Sequence, residues 1–310
     1  MKNICLDSHI DLNILLGGVN HTMTDVVSMS IGYDDSVYIL MSEKIPERIN
    51  GMFVDTVANT RYYMLVLTVD WFSGELLHFE YGEFGKHRMN FHFIQPVEDR
   101  ILLLGARTYN RQNGPENNAV IVDRDGRVAR EMCLGDGIED CLVTGDGRII
   151  TSYFDEGVFG NHGWTMPIGS SGLIVWDEFG NRIWKPDYPI YDCYAMNIDE
   201  KENLWFYYYN EFALVKTDFS ADLVFHPEIK GASRFLLTKD TRQIIFNNGY
   251  NHYFEFTSAL LQYDRISEYE RCDVVYNDES LLLKGVKFRS SKALFLDKQG
   301  RLFAKDVIQL

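Results

Sequence analysis

The sequence is poor in cysteine, in basic residues and in long apolar runs. Its five cysteines, at positions 5, 133, 141, 193 and 272, include no C-x-x-C pair and no tight cluster with histidine, so we expect neither a disulfide framework nor a thiolate zinc site. No segment approaches the roughly 18 consecutive apolar residues that span a bilayer. Asp7 interrupts the N-terminus before a signal-peptide core can form. These absences predict a cytoplasmic protein with reduced thiols and no membrane contact.

Positive charge is also scarce. The 30 lysines and arginines stand against 45 acidic residues, which gives a formal net charge of −15, and no basic run of five or more residues is present. Such a field repels nucleic-acid backbones and anionic lipid surfaces. The expected partner is therefore a protein or a small molecule, with nucleic acid excluded.

What the sequence does contain is a recurring hairpin pattern, in which an apolar run, a tight turn of Asp, Gly, Asn or Lys, and a β-branched or aromatic run follow one another. The first hairpin type covers residues 29–40, 91–105, 141–153, 194–208, 235–246 and 293–307, and a second type alternates with it at 65–79, 120–132, 173–184, 214–225 and, more weakly, 254–266. Two consecutive hairpins make a four-stranded sheet, and repetition every 40 to 50 residues or so is typical of propellers. We predict an all-β, six-bladed β-propeller formed by one domain, residues 1–310.

The two ends of the chain bear on the number of blades. The hairpin at 293–307 leaves its blade without a third and a fourth strand, and residues 4–15 show a strand-turn-strand pattern that resembles residues 215–225. A blade shared by both termini would close the ring and leave no open sheet edge. Residues 267–291 carry two further strand-like runs, which we interpret as an insertion at the edge of blade five, with a reduced seventh blade as the alternative.

These repeats resemble the superfamily of propellers with YVTN-, NHL- and WD40-like repeats. More narrowly, residues 153–161 (YFDEGVFGN), followed by Gly172-Leu173 and Trp176-Asp177, resemble a pattern in bacterial propeller proteins. The resemblance covers nearly the whole chain and implies the architecture, but no activity, because propellers serve as enzymes, receptors and scaffolds.

Polar residues cluster where propeller loops are expected to open on one face. The candidate ligand- or partner-binding residues at this face are Asn110, Asp155, His162, Trp164, Asn210 and Glu211. The candidate catalytic residues are Glu156, Asp140 and Asp192. The candidate metal ligands are the same three carboxylates, Asp140, Asp192 and Glu156, together with Asn248. Oxygen ligands of this kind suit Ca²⁺ or Mg²⁺, and a neighbouring carboxylate could activate water. The arrangement is similar to that of gluconolactonase-like propellers, which implies a metal-assisted lactonase or esterase. The structural alternative is that Asp and Asn occupy strand ends because their side chains bond to nearby backbone groups.

Three long loops, at residues 42–61, 108–118 and 157–171, should rise on the same side of that face. Loops of this length in a compact domain are often functional. In the third loop, His162 and Trp164 could contact a ligand, or the tryptophan could pack against the rim of the propeller. The sequence thus predicts a binding module that acts through its long loops, with the metal-assisted hydrolase as the alternative.

Overall fold

The computed structural model describes residues 2–49, 52–53 and 59–310. The chain divides into two compact units. The terminal unit comprises Met1–Met23, Thr68–His78 and Tyr194–Leu310, and the middle unit comprises Thr24–Leu67 and Phe79–Cys193.

The N-terminal segment contains two strands and a helix. Strand β1 is Lys2–Leu6, β2 is Ile10–Asp11, helix α1 is Leu12–Gly18, and a 3₁₀ turn covers Met23–Asp25. Asp11 is the N-cap of α1, since its Oδ1 accepts hydrogen bonds from Asn13 N (2.9 Å) and Ile14 N (3.2 Å). This cap starts a helix in a stretch where the sequence pattern predicts a strand, and that part of the prediction is wrong.

Three four-stranded antiparallel sheets lie mainly in the middle unit, although residues 68–69 and 76–78 of the first sheet belong to the terminal unit. The first has the order β3 (Val26–Ile31), β4 (Val37–Ser42), β7 (Thr60–Val69) and β8 (Leu76–His87), with a short hairpin of β5 (Arg48–Ile49) and β6 (Met52–Phe53) after its second strand. The second comprises β9 (Phe93–Val97), β10 (Arg100–Leu104), β13 (Ala119–Val122) and β14 (Val128–Met132), with a hairpin of β11 (Asn110–Arg111) and β12 (Gly114–Pro115) in the same position. The third comprises β15 (Ile138–Val143), β16 (Ile149–Tyr153), β17 (Leu173–Trp176) and β18 (Arg182–Trp184), with helix α2 (Asp155–Phe159) after its second strand.

Within the described part of the chain, three further large sheets lie in the terminal unit. The fourth sheet comprises β19 (Cys193–Ile198), β20 (Leu204–Tyr208), β21 (Ala213–Thr217) and β22 (Asp222–Phe225). The fifth comprises β23 (Phe235–Leu237), β24 (Gln243–Asn247), β25 (Phe256–Gln262) and β26 (Arg265–Tyr276), extended by β1 and β27 (Glu279–Ser280). The sixth comprises β28 (Leu283–Arg289), β29 (Lys292–Asp297), β30 (Arg301–Asp306) and β2.

These six sheets are the blades of a six-bladed β-propeller, as the sequence predicts. A blade shared by the two chain ends is also confirmed, because Ile10 pairs with Leu302 and Asp11 with Arg301. The assignment of its strands is wrong, however. The sixth blade begins at β28, so the C-terminal region supplies three strands and the N-terminus only the fourth.

The two extra runs in residues 267–291 are therefore not an insertion. The first run is the end of β26, and the second run is β28, the first strand of the sixth blade. The N-terminal strand β1 instead pairs in parallel with β26, from Lys2 opposite Cys272 to Leu6 opposite Tyr276. β1 thus lies beside the fourth strand of blade five, whose edge would otherwise expose unpaired backbone groups.

Aspartates in the tight turns explain why the hairpins recur. Asp199 Oδ1 accepts hydrogen bonds from Lys201 N (2.9 Å) and Asn203 N (3.0 Å). Asp177 and Asp297 make the same pair of bonds to the residues two and four positions later. A carboxylate that accepts these orphan N–H groups stabilises the turn in which the strand reverses.

The core of each unit lies between neighbouring sheets. In four of the blades the second strand is buried along its whole length, as expected for a strand covered on both faces. These strands are β4, β16, β20 and β24. In the middle unit, Leu102, Ile149 and Trp176 belong to one apolar cluster. In the terminal unit, Trp205 and Phe246 belong to another.

Candidate functional site

The candidate site residues fall in both units. Asn110, Asp140, Asp155, Glu156, His162, Trp164 and Asp192 belong to the middle unit, and Asn210, Glu211 and Asn248 belong to the terminal unit. Each unit therefore contains its own set of candidate residues.

A buried ion network lies at the base of the middle-unit loops. Arg107, three residues after β10, donates from Nε to Asp136 Oδ1 (3.0 Å) and from Nη2 to Asp136 Oδ2 (3.1 Å). Its Nη1 lies 2.6 Å from Glu156 Oε2 and donates to the carbonyl oxygen of Phe53 (3.3 Å). Because Arg107 thus joins the loops that follow β4, β10 and β16 to the loop that precedes β15, it fixes their relative positions.

The pair of Arg107 and Asp136 within this network is shielded from solvent. The side chains of Arg107 and Asp136 are 6% and 2% exposed, respectively, while that of Glu156 is 37% exposed. Asp136 Oδ1 also accepts a hydrogen bond from Thr108 N at 2.7 Å. When a buried ion pair has bidentate geometry and further hydrogen bonds, the attraction between its charges can offset the cost of removing them from water.

Glycines allow the loops of the network to approach each other. Gly137 has a φ of +71°, and a Cβ at this position would lie 2.3 Å from the backbone nitrogen of Gly157. Any side chain at residue 137 would therefore push α2 away and separate Glu156 from Arg107.

Glu156 is held as a carboxylate. Burial raises its pKa, but the hydrogen bond from Asn161 and the charge and hydrogen bond of Arg107 lower it more, so the net shift is downward. At neutral pH this residue, a candidate catalytic group and metal ligand from the sequence, is an anion with a cation already bound to it. Neither Arg107 nor Asp136 is predicted from the sequence.

Above this network, the third loop docks onto the second. Trp164 is 6% exposed, and its Nε1 donates to the carbonyl oxygen of Thr108 (2.9 Å). Asn110 N donates to the carbonyl oxygen of His162 (3.1 Å). Of the two alternatives predicted for Trp164, the structure places it in the packing position, as an anchor that holds the two loops together.

The docked loops form a surface that we call the loop surface. It is lined by Tyr109, Asn110, Arg111, Gln112, Asn113, His162 and Gly163, and it borders an open depression of about 540 Å³. The rings of Tyr109 and His162 lie 4.6 Å apart with a tilt of 39°, and the Arg111 guanidinium lies 4.1 Å from the centroid of the Tyr109 ring. Two of the predicted binding residues, Asn110 and His162, are thus brought together here.

His162 is held in an unfavourable backbone conformation. Its φ is +47°, a region that costs energy for a residue other than glycine. Its Nδ1 is buried and has no hydrogen-bond partner within the described part of the chain, although buried polar atoms are normally bonded. The unpaired, buried nitrogen adds to the cost of the backbone conformation at this position.

A second group of carboxylates lies in the same unit. Burial, and then the charge of Asp155, raise the pKa of Asp192 to about 7, so Asp192 titrates near neutrality while remaining half-buried. Asp155 is exposed at the start of α2, where its Oδ1 accepts a hydrogen bond from Glu156 N (2.7 Å). Asp140 Oδ1 accepts one from Cys141 N (2.9 Å), a local backbone bond of the kind that favours Asp at strand ends.

The predicted metal ligands do not converge. Among residues 2–49, 52–53 and 59–310, no group of three or more His, Cys, Asp and Glu side chains is placed to hold a metal ion. Asn248 lies in the other unit and its Oδ1 accepts a hydrogen bond from Thr257 Oγ1 (2.7 Å), while Glu156 is bound to Arg107. Binding of Ca²⁺ or Mg²⁺ stays a prediction that the described geometry does not favour.

The terminal unit has a surface of its own, which we call the tyrosine surface. It consists of the rings of Tyr194, Tyr209, Phe212 and Tyr250, with exposed fractions of 44% for Tyr209 and 49% for Tyr250. Glu211 adjoins it, with Oε2 accepting a hydrogen bond from Tyr208 (3.0 Å). The sequence points to Asn210 and Glu211 in this region but not to the rings, although the run Tyr207-Tyr208-Tyr209 beside a predicted turn is a signal for them.

No described helix has the length and apolar character needed to cross a membrane.

Comparison with known proteins identifies the fold. No protein-family model and no curated protein sequence matches the chain. Among solved structures, Hsv2 from Kluyveromyces marxianus matches with a TM-score of 0.52 and 10% identity, covering 92% of this chain and 77% of that chain. Virginiamycin B lyase from Staphylococcus aureus matches with a TM-score of 0.50 and 11% identity, covering 91% and 94%, and its catalytically inactive variant with quinupristin gives a TM-score of 0.50, 11% identity and coverage of 96% and 97%. At this level of identity the likeness is one of fold alone, and the chain is a β-propeller similar to these proteins in architecture.

Proposed function

We propose that this propeller is a binding module that recognises a small polar molecule carrying an aromatic or heteroaromatic ring, through the loop surface of the middle unit. The observation that carries the proposal is the pair of rings of Tyr109 and His162, 4.6 Å apart, beside the amide side chains of Asn110, Gln112 and Asn113 around one open depression.

The lining of the depression indicates the chemistry of the ligand. Tyr109 and His162 provide ring surfaces on which a planar group can stack. The amides of Asn110, Gln112 and Asn113 provide both donors and acceptors. Two rings beside several polar side chains suit a planar ligand that carries hydrogen-bonding groups.

The buried network beneath the depression supports the same proposal. Because Arg107, Asp136 and Glu156 fix the loops relative to each other, and Trp164 fixes the third loop on the second, the depression is formed before the ligand arrives. Binding to a preformed site avoids the entropic cost of ordering loops.

A ligand-observed NMR screen tests this proposal, with a library of aromatic amides and carboxylates as the probes. His162→Leu keeps the side-chain volume and removes both ring nitrogens, so hits at the loop surface should lose their saturation-transfer signal. His252→Leu is the matched control, because His252 is 57% exposed and lies in the terminal unit. If every hit binds His162→Leu as well as the unmodified protein, the loop surface is not the binding site.

The alternative function is hydrolysis of a lactone or ester, and one observation favours it. Asp192 is a half-buried carboxyl whose pKa is raised to about 7, chiefly by burial, and a group that titrates near the working pH is suited to general acid–base catalysis. The fold also supports an enzyme, since virginiamycin B lyase is one by name.

A panel of lactones and esters, assayed with and without a chelator, tests this alternative. Hydrolysis that is lost in Asp192→Asn and retained in Asp140→Asn would support an acid–base role for Asp192. Loss of hydrolysis on chelation would instead support the metal-assisted form. Absence of hydrolysis across the panel would leave the binding module as the function.

A further inference from the structure

The tyrosine surface of the terminal unit is a continuous aromatic wall. The ring centroids of Tyr194 and Tyr209 lie 5.7 Å apart, those of Tyr194 and Tyr250 lie 6.3 Å apart, and those of Tyr209 and Phe212 lie 5.6 Å apart. Two of these contacts are nearly perpendicular, at 88° for Tyr194 with Tyr250 and 89° for Tyr209 with Phe212. The four rings therefore form two right-angled corners.

The rings are held in place although they are partly exposed. The hydroxyls of Tyr194 and Tyr250 lie 3.2 Å apart and share a hydrogen bond. Tyr250 packs directly over Gly231, where a Cβ would lie 2.5 Å from the ring. Phe212 has a φ of +51°, which is costly for a bulky residue. Fixed, solvent-exposed aromatic rings in a strained turn are more typical of a binding site than of a solvated surface.

The electrostatics of this surface favour a cation. The face of each ring carries the negative part of its quadrupole, and Glu211 adds a carboxylate at the edge. The Lys230 ammonium already lies 5.8 Å from the centroid of the Phe212 ring, which shows that one corner accommodates a positive charge. With a net charge of −15, the field of the chain also attracts cations.

We propose that the tyrosine surface binds an organic ammonium ion whose nitrogen is methylated, held by cation–π contacts in the corner between Tyr194 and Tyr250. A primary ammonium is strongly hydrated and loses much by leaving water. A quaternary ammonium presents methyl groups to both ring faces and keeps its charge, which is the basis of recognition by aromatic cages. This site is independent of the loop surface, since it belongs to the other unit and shares no residue with it.

Choline and its neutral isostere 3,3-dimethylbutan-1-ol are the probes that test the proposal, because they match in shape and differ in charge. Isothermal titration should show binding of choline and much weaker binding of the alcohol. Tyr250→Leu and Tyr194→Leu, which each remove one ring of the corner, should each weaken choline binding by roughly two- to thirty-fold. Tyr194→Phe keeps the ring and should retain binding.

Two further variants sharpen the result. Lys230→Gln removes a positive charge beside Phe212 that repels a second cation on the same surface, so choline should bind more tightly. Tyr263→Leu is the matched control, because Tyr263 is 99% exposed at the turn between β25 and β26, away from the four rings, and its loss should change nothing. Unfolding midpoints of all variants show whether each remains folded.

Nuclear Overhauser contacts from the choline methyl groups to labelled tyrosine rings of the unmodified protein give a readout that needs no variant. Their presence supports the proposal even if the leucine variants unfold. Equal binding of choline and the alcohol would overturn it, because the rings would then act only as an apolar surface. Absence of choline binding at millimolar concentration, or unchanged binding in both leucine variants, would overturn it as well.

Discussion

Removal of Arg107 is the sharpest test of how the middle-unit loops are held together. In Arg107→Leu, the carboxylate of Asp136 keeps its hydrogen bond from Thr108 N but loses both contacts to the guanidinium. Because the side chain of Asp136 is only 2% exposed, its charge stays buried without a counter-charge. Breaking a buried pair in this way costs about 3–5 kcal/mol of the free energy of unfolding.

Urea denaturation followed by tryptophan fluorescence measures this loss. With a urea m-value of about 2–3 kcal/mol/M, the midpoint should fall by about 1–2.5 M with little change in m. In the double variant, Arg107→Leu with Asp136→Asn, a neutral amide replaces the unpaired charge, so part of the loss should be recovered. That recovery isolates the electrostatic share of the effect from lost packing.

The control is an ion pair of similar length at the surface of the same unit. Arg124 Nη1 lies 2.6 Å from Glu80 Oε2, with side chains 47% and 50% exposed, and an exposed pair contributes at most about 1 kcal/mol. Arg124→Leu should therefore leave the midpoint nearly unchanged. Equal midpoints for Arg107→Leu and Arg124→Leu would refute the claim that the buried network stabilises the loops.

Three other predictions follow from burial and exposure. Burial raises the pKa of Asp192 from 3.8 to about 7, so between these values the folded state binds more protons than the unfolded state. The contribution of Asp192 to stability should therefore decline as pH rises from about 4 through 7. The difference in unfolding free energy between the unmodified protein and Asp192→Asn should show this slope, and a flat difference would contradict the shift. Ile4 is 2% exposed, so Ile4→Ala should lower the free energy of unfolding by about 2–5 kcal/mol. Ile14 is 74% exposed, so Ile14→Ala should lower it by less than about 0.5 kcal/mol. Similar urea midpoints for the two variants would show that β1 does not pack as described. Cys5 is exposed, while burial raises the pKa of the Cys272 thiol to about 12. The native protein should therefore react with a thiol reagent at Cys5 first, and peptide mapping after brief labelling would reveal this order. Rapid labelling of Cys272 would contradict its burial.

The blades were predictable because their signals are local. A turn aspartate such as Asp199 binds backbone groups two and four residues away, and the apolar runs on each side are strands of a buried sheet. The strand assignment in the sixth blade was not predictable in the same way, because the turn at Gln299 looks like any other hairpin turn. Only the pairing of Ile10 with Leu302 shows that it joins a second strand to a third.

The candidate site was predictable only in part, for a related reason. Asn110 and His162 stand out in the sequence as polar residues in long loops, and the structure brings them together. Arg107 and Asp136 are 29 positions apart, and a lone charged residue in a loop is normally solvated. The local pattern gives no sign that these two residues pair with each other. The glycines that flank Asp136 are the one local hint of a close approach.

The pairing of β1 with β26 has a consequence for how the protein is made. Lys2 lies opposite Cys272, so β1 must wait for residues synthesised 270 positions later before it can pair. At about 5–20 residues per second, that interval is roughly 14–54 s. Throughout it, the apolar side chains of Ile4 and Leu6 lack their native cover. The nascent chain is therefore expected to need chaperone protection around β1 until the fifth blade is complete.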